Sequence, residues 1–219
     1  MNDERIEVST GVCLVGNGYV CPEVIAKALK FAPELIAADG GADAALVAGH
    51  TPAAVIGDFD SISEDAMEHL TSSKMIRIDE QDSTDFEKCL SRIEAPFVVA
   101  VGFTGRRLDH TLAAMSVLAR RIGPPTYLFD EHDVTFAPGH TLDIDLAPET
   151  RVSLFPMTKM RGRSTGLRWP IDNIDFAPAG RIGTSNEALG RVRLEFDEPN
   201  TLVTLPAAEL RKLIPQVDG

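Results

Sequence analysis

Residues 97–122 read FVVAVGFTGRRLDHTLAAMSVLARRI, and their character changes twice along the segment. An apolar run, Phe97–Val101, leads into a loop that contains two glycines, and a helical pattern follows over Leu108–Ile122. Short strands that are apolar throughout are typical of a sheet that is covered on both faces. The segment therefore predicts a strand–loop–helix unit of an α/β domain.

The same alternation extends outward from this segment to about residue 130. It favours a doubly wound, mainly parallel α/β sheet, in which ligands bind beyond the carboxyl ends of the strands. The other predicted strands are Val12–Gly16, Leu35–Ala38, Ala54–Ile56, Met75–Ile78 and Thr126–Phe129. The other predicted helices are Pro22–Phe31, Ala42–Ala48, Ser63–Leu70 and Ser83–Ile93.

The pattern changes near Ala137-Pro138-Gly139, after which short β-like runs are separated by Gly, Pro and Asn. The one helical pattern in this half lies near Ala207–Leu213. We therefore expect an α/β domain over residues 1–137 and a small all-β domain, a sandwich or a barrel, over residues 138–219. Its predicted strands are Thr141–Leu146, Val152–Phe155, Val192–Phe196 and Leu202–Leu205.

Composition excludes several classes of protein. The chain has 219 residues, is 44% hydrophobic and carries a formal net charge of −12, which argues against binding nucleic acid. No apolar run approaches the ~18 residues of a membrane span, and the N-terminus lacks the apolar core of a signal peptide. Cys13, Cys21 and Cys89 form neither a CxxC pair nor an even set, so we expect reduced thiols in a cytoplasmic protein.

The net charge also restricts how the chain can bind a polyphosphate, because cations must then lie at the contact. Acidic clusters should be metal ligands with arginines nearby. The first acidic motif, Asp39-Gly40-Gly41, follows a predicted strand. Two adjacent glycines let the backbone turn sharply and approach a ligand closely. Taken alone, however, this motif favours a tight turn in which Asp39 caps the next helix.

The second motif, Gly57-Asp58-Phe59-Asp60-Ser61, follows the next strand. On an extended chain, Asp58 and Asp60 project to the same side, and their carboxylates repel each other unless a cation lies between them. Mg²⁺ suits that position because it binds one or two carboxylates and fills its other sites with water and phosphate oxygens. The alternative, an exposed loop before a helix capped by Ser61 or Ser63, leaves the aspartate pair unexplained.

The third motif runs from Gln81 to Lys88 and opens a helix. Asp82 and Asp85 are predicted to lie on one face of its first turn, where both could join the metal cluster. The alternative is that acidic residues in the first turn only stabilise the helix, with Lys88 paired to Asp85.

The fourth motif is the loop after Phe97–Val101. Such a loop offers backbone N–H groups and a helix N-terminus to phosphates, and Arg107 adds a forked cation. Asp109 adds a carboxylate. His110 is a candidate base, although a histidine in a first turn is more often structural.

In this order, the four motifs resemble those of the thiamine pyrophosphokinase family. The family pattern is a DGG turn, a GDxDS loop, a D-x-T-D helix start and a G-G-R-x-D-H loop, and the match covers roughly residues 37–116. One position departs from it, because Arg106 replaces the second glycine of the last loop. If that position needs a positive φ, arginine strains the turn; alternatively, Arg106 adds a phosphate contact.

A weaker resemblance extends into the β half, at Gly166-Leu167-Arg168-Trp169-Pro170 and at Ser185-Asn186. It implies that a β-sandwich domain forms a homodimer and closes a thiamine site across the interface. Trp169 would then stack on the vitamin, one of whose rings is cationic. Core packing is the alternative for Trp169.

The resemblance implies that thiamine's hydroxyl attacks the β-phosphorus of ATP, with Mg²⁺ as cofactor and AMP as leaving group. The implied metal ligands are Asp58, Asp60, Asp82 and Asp85. The implied catalytic residues are Asp58, Asp60, Asp85, Arg107 and Asp109. The implied substrate contacts are Asp39, Gly40, Gln81, Thr84, Gly105, His110, Trp169, Ser185 and Asn186.

Three other functions compete with this one. A phosphatase of the haloacid-dehalogenase type would use Asp58 as a nucleophile. The DxD motif of such enzymes usually follows the first strand, whereas in this chain it follows the third predicted strand. A non-catalytic nucleotide or thiamine sensor could keep the scaffold. The same transfer to another alcohol, such as a hydroxymethyl pterin, would change only the acceptor.

Overall fold

The computed structural model describes residues 4–183 and 185–215. These residues form two compact units. The first contains residues 4–117, 122–130 and 215, and the second contains residues 118–121, 131–183 and 185–214.

The first unit is an α/β unit built on a parallel sheet. Its strands are β1 (Ile6–Glu7), β2 (Val12–Val15), β3 (Glu34–Ala38), β4 (Ala54–Gly57), β5 (Lys74–Arg77), β6 (Ile93–Glu94), β7 (Val98–Val101) and β8 (Thr126–Phe129). Its helices are α1 (Pro22–Leu29), α2 (Gly41–Val47), α3 (Glu64–His69), α4 (Asp85–Leu90) and α5 (Leu108–Arg120), of which residues 118–120 are assigned to the second unit. The predicted elements of this half are all present, each within three residues of its predicted bounds.

The main sheet has the strand order β8-β7-β2-β3-β4-β5, and all neighbouring pairs are parallel. Every residue of β2, β4 and β7 is buried, as expected of apolar strands covered on both faces. The chain order reverses between β2 and β7. Because parallel strands end at the same edge, the loops after these strands meet there.

Helix caps explain where α3 and α4 begin. Ser63 accepts the N–H of Ala66 and caps α3, as the sequence predicted for Ser61 or Ser63. Thr84 accepts the N–H of Glu87, so α4 begins at Asp85 and not at Ser83. The predicted helix also ends early, because Ile93 and Glu94 pair with β1 as strand β6.

The second unit is rich in β-strands, as predicted. Its strands are β9 (Asp133–Phe136), β10 (Thr141–Asp145), β11 (Arg151–Pro156), β12 (Gly162–Leu167), β13 (Ser185–Phe196) and β14 (Thr201–Pro206). A 3-10 turn (Ala207–Glu209) and helix α6 (Leu210–Leu213) follow, where the sequence predicted a short helix. The pairing is antiparallel in the order β10-β13-β11-β14-β9, and β12 also pairs with β13.

Two strands of this unit were not predicted. β12 lacks regular apolar alternation, and Gly166, with φ of 77°, lies where its register with β13 shifts. β9 precedes the change of pattern at residue 137 and pairs with β14, which places residues 133–136 in the second unit.

The three cysteines form no disulfide within the described residues. Cys13, Cys21 and Cys89 are all free, and burial raises the pKa of Cys13 to about 12. In the part of the chain that the structure describes, no helix combines the length and apolarity needed to cross a bilayer.

Candidate active site

A cleft of about 700 Å³ opens at the carboxyl edge of the parallel sheet in the first unit. That volume is typical of small-molecule sites. The loops after β2, β3, β4, β5 and β7 line the cleft together with the start of α5. The four sequence motifs therefore meet in one place.

Three carboxylates form the centre of the cleft. Asp39, Asp58 and Asp60 each offer one oxygen, and these oxygens all lie within 4.8 Å of one another. Asp39 follows β3, whereas Asp58 and Asp60 follow the neighbouring β4. Like charges at this spacing need a cation between them, and carboxylate oxygens are preferred ligands of hard divalent metals.

Asp39 does not cap the next helix, which was one of its two predicted roles. The N-cap of α2 is Gly40, and no side chain caps that helix. Asp39 is instead 3% exposed, and its Oδ1 accepts the N–H of Phe59 at 2.9 Å. Asp39 therefore holds the Asp58–Asp60 loop, a contact that sequence spacing does not reveal.

The Asp58–Asp60 loop owes its shape to Phe59. Phe59 has φ of 71°, a left-handed conformation that is costly for a bulky residue. Its ring packs against buried residues of the first unit, and its N–H is bonded to Asp39. Ser61 donates from Oγ to Asp60 Oδ1 at 2.9 Å. The two aspartates thus lie on the same side of the loop, facing the cleft, while Phe59 packs against the core.

Gln81 and Asp82 have different surroundings. Gln81 lines the cleft and donates from Nε2 to Asp58 Oδ2 at 3.0 Å. This hydrogen bond is the main cause of the lowered pKa of Asp58. Asp82 precedes α4, does not line the cleft, and donates its backbone N–H to Glu80 Oε2 at 2.7 Å. The expected position of Asp82 on the first helical turn is wrong, and its role as a metal ligand stays a prediction.

Asp85 and Lys88 lie on α4 at the cleft. The Lys88 ammonium is 3.4 Å from Asp85 Oδ1 and 3.9 Å from Asp58 Oδ2. Burial raises the pKa of Asp85, although Lys88 acts in the opposite direction. The expected Lys88–Asp85 pair is therefore present. The sequence did not indicate that Lys88 is buried or that it also faces Asp58.

The loop after β7 contains three residues with positive φ: Gly102 at 73°, Gly105 at 76° and Arg106 at 46°. This position therefore has the positive φ that strains an arginine, and a phosphate contact by the Arg106 side chain stays a prediction. Its Nη1 also donates to the carbonyl and side-chain oxygens of Asn17, at 3.2 and 3.3 Å. The side chain thus connects this loop to the loop after β2.

Glycine is needed where the loops touch. A Cβ on Gly18 would lie 2.5 Å from the Gly102 carbonyl oxygen, and one on Gly40 would lie 2.8 Å from the Ser61 carbonyl oxygen. The loop Gly16-Asn17-Gly18 was missed as part of the site. Its position directly after the first apolar strand was the available signal.

Arg107 and Asp109 form an exposed pair. Arg107 donates from Nε and Nη2 to the two Asp109 oxygens at 3.1 and 2.5 Å, and this contact lowers the pKa of Asp109. Arg107 and His110 line the cleft, as do Thr84 and Gly105, whereas Asp109 does not.

Two of the three predicted residues of the second unit, Trp169 and Asn186, are in direct contact. The Trp169 side chain is 52% exposed, so core packing is excluded. Asn186 is buried. Its Oδ1 accepts the backbone N–H of Trp169 at 3.1 Å, and its Nδ2 donates to the backbone carbonyl of Trp169 at 2.7 Å. The Arg168 guanidinium lies 5.2 Å from the ring centroid. Ser185 Oγ accepts from Ser153 Oγ at 3.4 Å. Asn186 therefore fixes the backbone that carries the exposed ring.

Two family models match the chain. Residues 25–126 match the thiamin pyrophosphokinase catalytic domain. Residues 139–201 match the thiamin pyrophosphokinase vitamin B1 binding domain. The first match contains all the charged residues of the cleft, and the second contains Trp169 and Asn186.

The chain is also similar in sequence to individual thiamine pyrophosphokinases. Thiamine pyrophosphokinase 1 of Oryza sativa subsp. japonica is 30% identical over 159 residues, which are 63% of this chain and 59% of that protein. The Bacillus subtilis thiamine pyrophosphokinase is 28% identical over 167 residues, 70% and 78% of the two chains. The match spans only about three fifths of the rice protein's length.

Solved structures show the same fold. Yeast thiamin pyrophosphokinase has a TM-score of 0.75 at 16% identity and covers 93% of this chain and 91% of its own. The enzyme from Geobacillus thermodenitrificans has a TM-score of 0.72 at 23% identity, with 90% and 96% covered. A mostly parallel sheet unit followed by a β-rich unit is therefore the family's fold.

Proposed function

Because this chain belongs to the thiamin pyrophosphokinase family, we propose that it transfers the terminal diphosphate of ATP to the hydroxyl group of thiamine. One observation carries the proposal: Asp39, Asp58 and Asp60 converge within 4.8 Å in a cleft of the segment that matches the family's catalytic domain. A chain of net charge −12 needs such a cation site to hold a polyphosphate.

The carboxylate donors fit a hard divalent cation, for which we propose Mg²⁺. Asp39, Asp58 and Asp60 would hold the ion, and Asp85 would lie at the edge of the same group. When bound, the ion neutralises charge on the phosphate oxygens. The three carboxylates come from the ends of two buried neighbouring strands, so their positions are fixed before the ligand arrives.

The remaining groups of the cleft bind and orient ATP. The glycine-containing loop before α5 presents backbone N–H groups to the phosphates, and Arg106 and Arg107 add cations. Gln81 keeps Asp58 oriented through its hydrogen bond. Asp109 holds the Arg107 guanidinium and acts through it.

The reaction forms one phosphorus–oxygen bond and breaks another. The hydroxyl oxygen of thiamine forms a bond to the β-phosphorus, and the bond from that phosphorus to the bridging oxygen of AMP breaks. The hydroxyl proton is released, and we place the incoming hydroxyl near Asp85, which lines the cleft. Positioning and charge neutralisation supply most of the rate, as in other phosphoryl transfers.

We assign thiamine recognition to the second unit, whose residues 139–201 match a vitamin B1 binding domain. The exposed Trp169 ring can stack on the cationic vitamin, with Asn186 fixing its backbone. We further propose that the protein is a homodimer and that it works in the cytoplasm. We also propose that the sheet of the first unit is doubly wound and that the second unit is a β-sandwich. The strand order that reverses between β2 and β7 supports the doubly wound description.

A single incubation tests the activity. The purified protein with ATP, Mg²⁺ and thiamine should release AMP and form thiamine diphosphate in equal amounts. Parallel reactions with a hydroxymethyl pterin and with no acceptor test the acceptor and the sensor alternatives. AMP formation with the pterin alone would move the proposal to another acceptor. Binding of both substrates without product would identify a sensor.

A further inference from the structure

Lys88 is a charged residue in an unusual environment. Its side chain is 3% exposed, and it lies on α4 among the buried residues Phe86, Cys89 and Leu90. Burying an ammonium group is unfavourable unless carboxylates face it. A surface lysine would stabilise α4 equally well, so the burial of Lys88 calls for a reason within the cleft.

The Lys88 ammonium lies against two carboxylates of the cleft. Its Nζ is 3.4 Å from Asp85 Oδ1 and 3.9 Å from Asp58 Oδ2. Asp58 also belongs to the group of three carboxylates with Asp39 and Asp60. Asp58 is therefore shared between that group and the fixed cation of Lys88.

This arrangement bears on how many metal ions the cleft binds. Enzymes that use two metals for phosphoryl transfer hold them about 3.5–4 Å apart. With one ion at Asp39, Asp58 and Asp60, a second ion would need further carboxylate oxygens near Asp58, and Asp85 is the nearby candidate. The Lys88 ammonium already lies between Asp58 and Asp85.

We propose that Lys88 is a positioning residue that takes the place of a second metal ion. Its ammonium holds Asp58 and Asp85 in place, so the carboxylates of the nucleotide-free protein bind one divalent ion per chain. This inference rests on the proposed function, because it treats Asp39, Asp58 and Asp60 as the site of a divalent metal.

Counting bound Mn²⁺ in the nucleotide-free protein tests the proposal. Titration followed by electron paramagnetic resonance should give one ion per chain in the wild type. Lys88→Met keeps an unbranched side chain but removes the charge, and it should bind two ions. Lys30→Met is the matched control, because Lys30 is exposed, does not line the cleft, and loses the same charge. It should bind one ion.

A double variant locates the second ion. Lys88→Met/Asp85→Asn removes both members of the pair and should bind one ion again. Two ions or none in the wild type, one ion in Lys88→Met, or two ions in the double variant would each overturn the proposal. If Lys88→Met does not fold, Lys88→Gln removes the same charge but keeps a polar group beside both carboxylates, and it should bind two ions; one ion would overturn the proposal. Absence of thiamine diphosphate formation by the wild type would contradict the proposed function and leave the ion count unaffected.

Discussion

The cleft of the first unit and the Trp169 surface of the second are built in opposite ways. In the cleft, carboxylates from separate loops are tied to backbone or to neighbouring side chains, and Asp39 is 3% exposed. On the second unit, a single ring is 52% exposed, its backbone is bonded to Asn186, and the Arg168 guanidinium lies next to it. The first arrangement suits charge stabilisation, and the second suits binding. Substitutions in the two regions should therefore change different kinetic constants.

The largest effect is expected at the centre of the cleft. Asp60→Asn should lower kcat at least about 10²-fold, because stabilisation of phosphate charge through a metal is worth several kcal/mol. The fold should persist, since Asp60 is exposed and its side chain bonds only locally to Ser61. Steady-state kinetics and thermal unfolding measure both quantities. Asp79→Asn, at an exposed position outside the cleft, is the control and should keep normal turnover. Near-normal turnover by Asp60→Asn would remove Asp60 from the metal group.

The Trp169 surface should show the opposite kinetic signature. Trp169→Ala should raise the KM for thiamine about tenfold, equivalent to ~1.4 kcal/mol of stacking and cation–π energy. The KM for ATP should not change, and Trp169→Phe should show a smaller effect. Kinetics with each substrate varied in turn provide the measurement. A fall in kcat comparable to that of Asp60→Asn would erase the distinction between the two regions.

Arg106 tests how far the cleft depends on backbone conformation. Its φ of 46° is unfavourable for an arginine by about 1–2 kcal/mol, whereas glycine adopts this conformation without that strain. Arg106→Gly and Arg106→Ala both lose the hydrogen bonds to Asn17. Both also lose the guanidinium that we propose binds phosphate, so both should raise the KM for ATP. Only the glycine variant relieves the strain, so it should be more stable than the alanine variant by about 1–2 kcal/mol in urea unfolding. Equal stability of the two variants would show that the loop rearranges.

The sequence predicted the main sheet of the first unit well, because most of its strands are short, largely apolar runs and the acidic motifs follow them. The two-residue strands β1 and β6, each an Ile-Glu pair, give no such signal and were not predicted. The sequence also predicted that Asp58 and Asp60 lie together, although the left-handed turn at Phe59 brings them together and not the extended chain that the spacing suggested. The second unit was harder. β12 lacks alternating apolar residues and contains a register shift at Gly166, so its pattern does not resemble a strand.

Contacts between distant residues were the part that the sequence could not supply. Asp39 and Phe59 are 20 positions apart, and only the pairing of β3 with β4 brings them together. Lys88 looks like an ordinary helix-surface lysine, and its burial depends on how α4 packs against β3 and β4. The helix start was misplaced because Ser83 and Thr84 are both capable caps, and only Thr84 makes the bond.

The smallest expected effect concerns stability and lies within the cleft. Burial raises the pKa of Asp85, so the folded protein binds this proton more tightly than the unfolded chain, whose aspartates titrate near a pKa of about 3.9. The protonated form therefore stabilises the fold at low pH, and that stability is lost as the pH rises through the unfolded value toward the raised one. At pH 7 without metal, Asp85→Asn should unfold at a higher urea concentration than the wild type. The difference should vanish below about pH 3.9, where Asp85 is neutral in both states. Urea unfolding in a chelator across this pH range measures it. A less stable Asp85→Asn at pH 7 would mean that the ion pair with Lys88 outweighs the cost of burying the carboxylate.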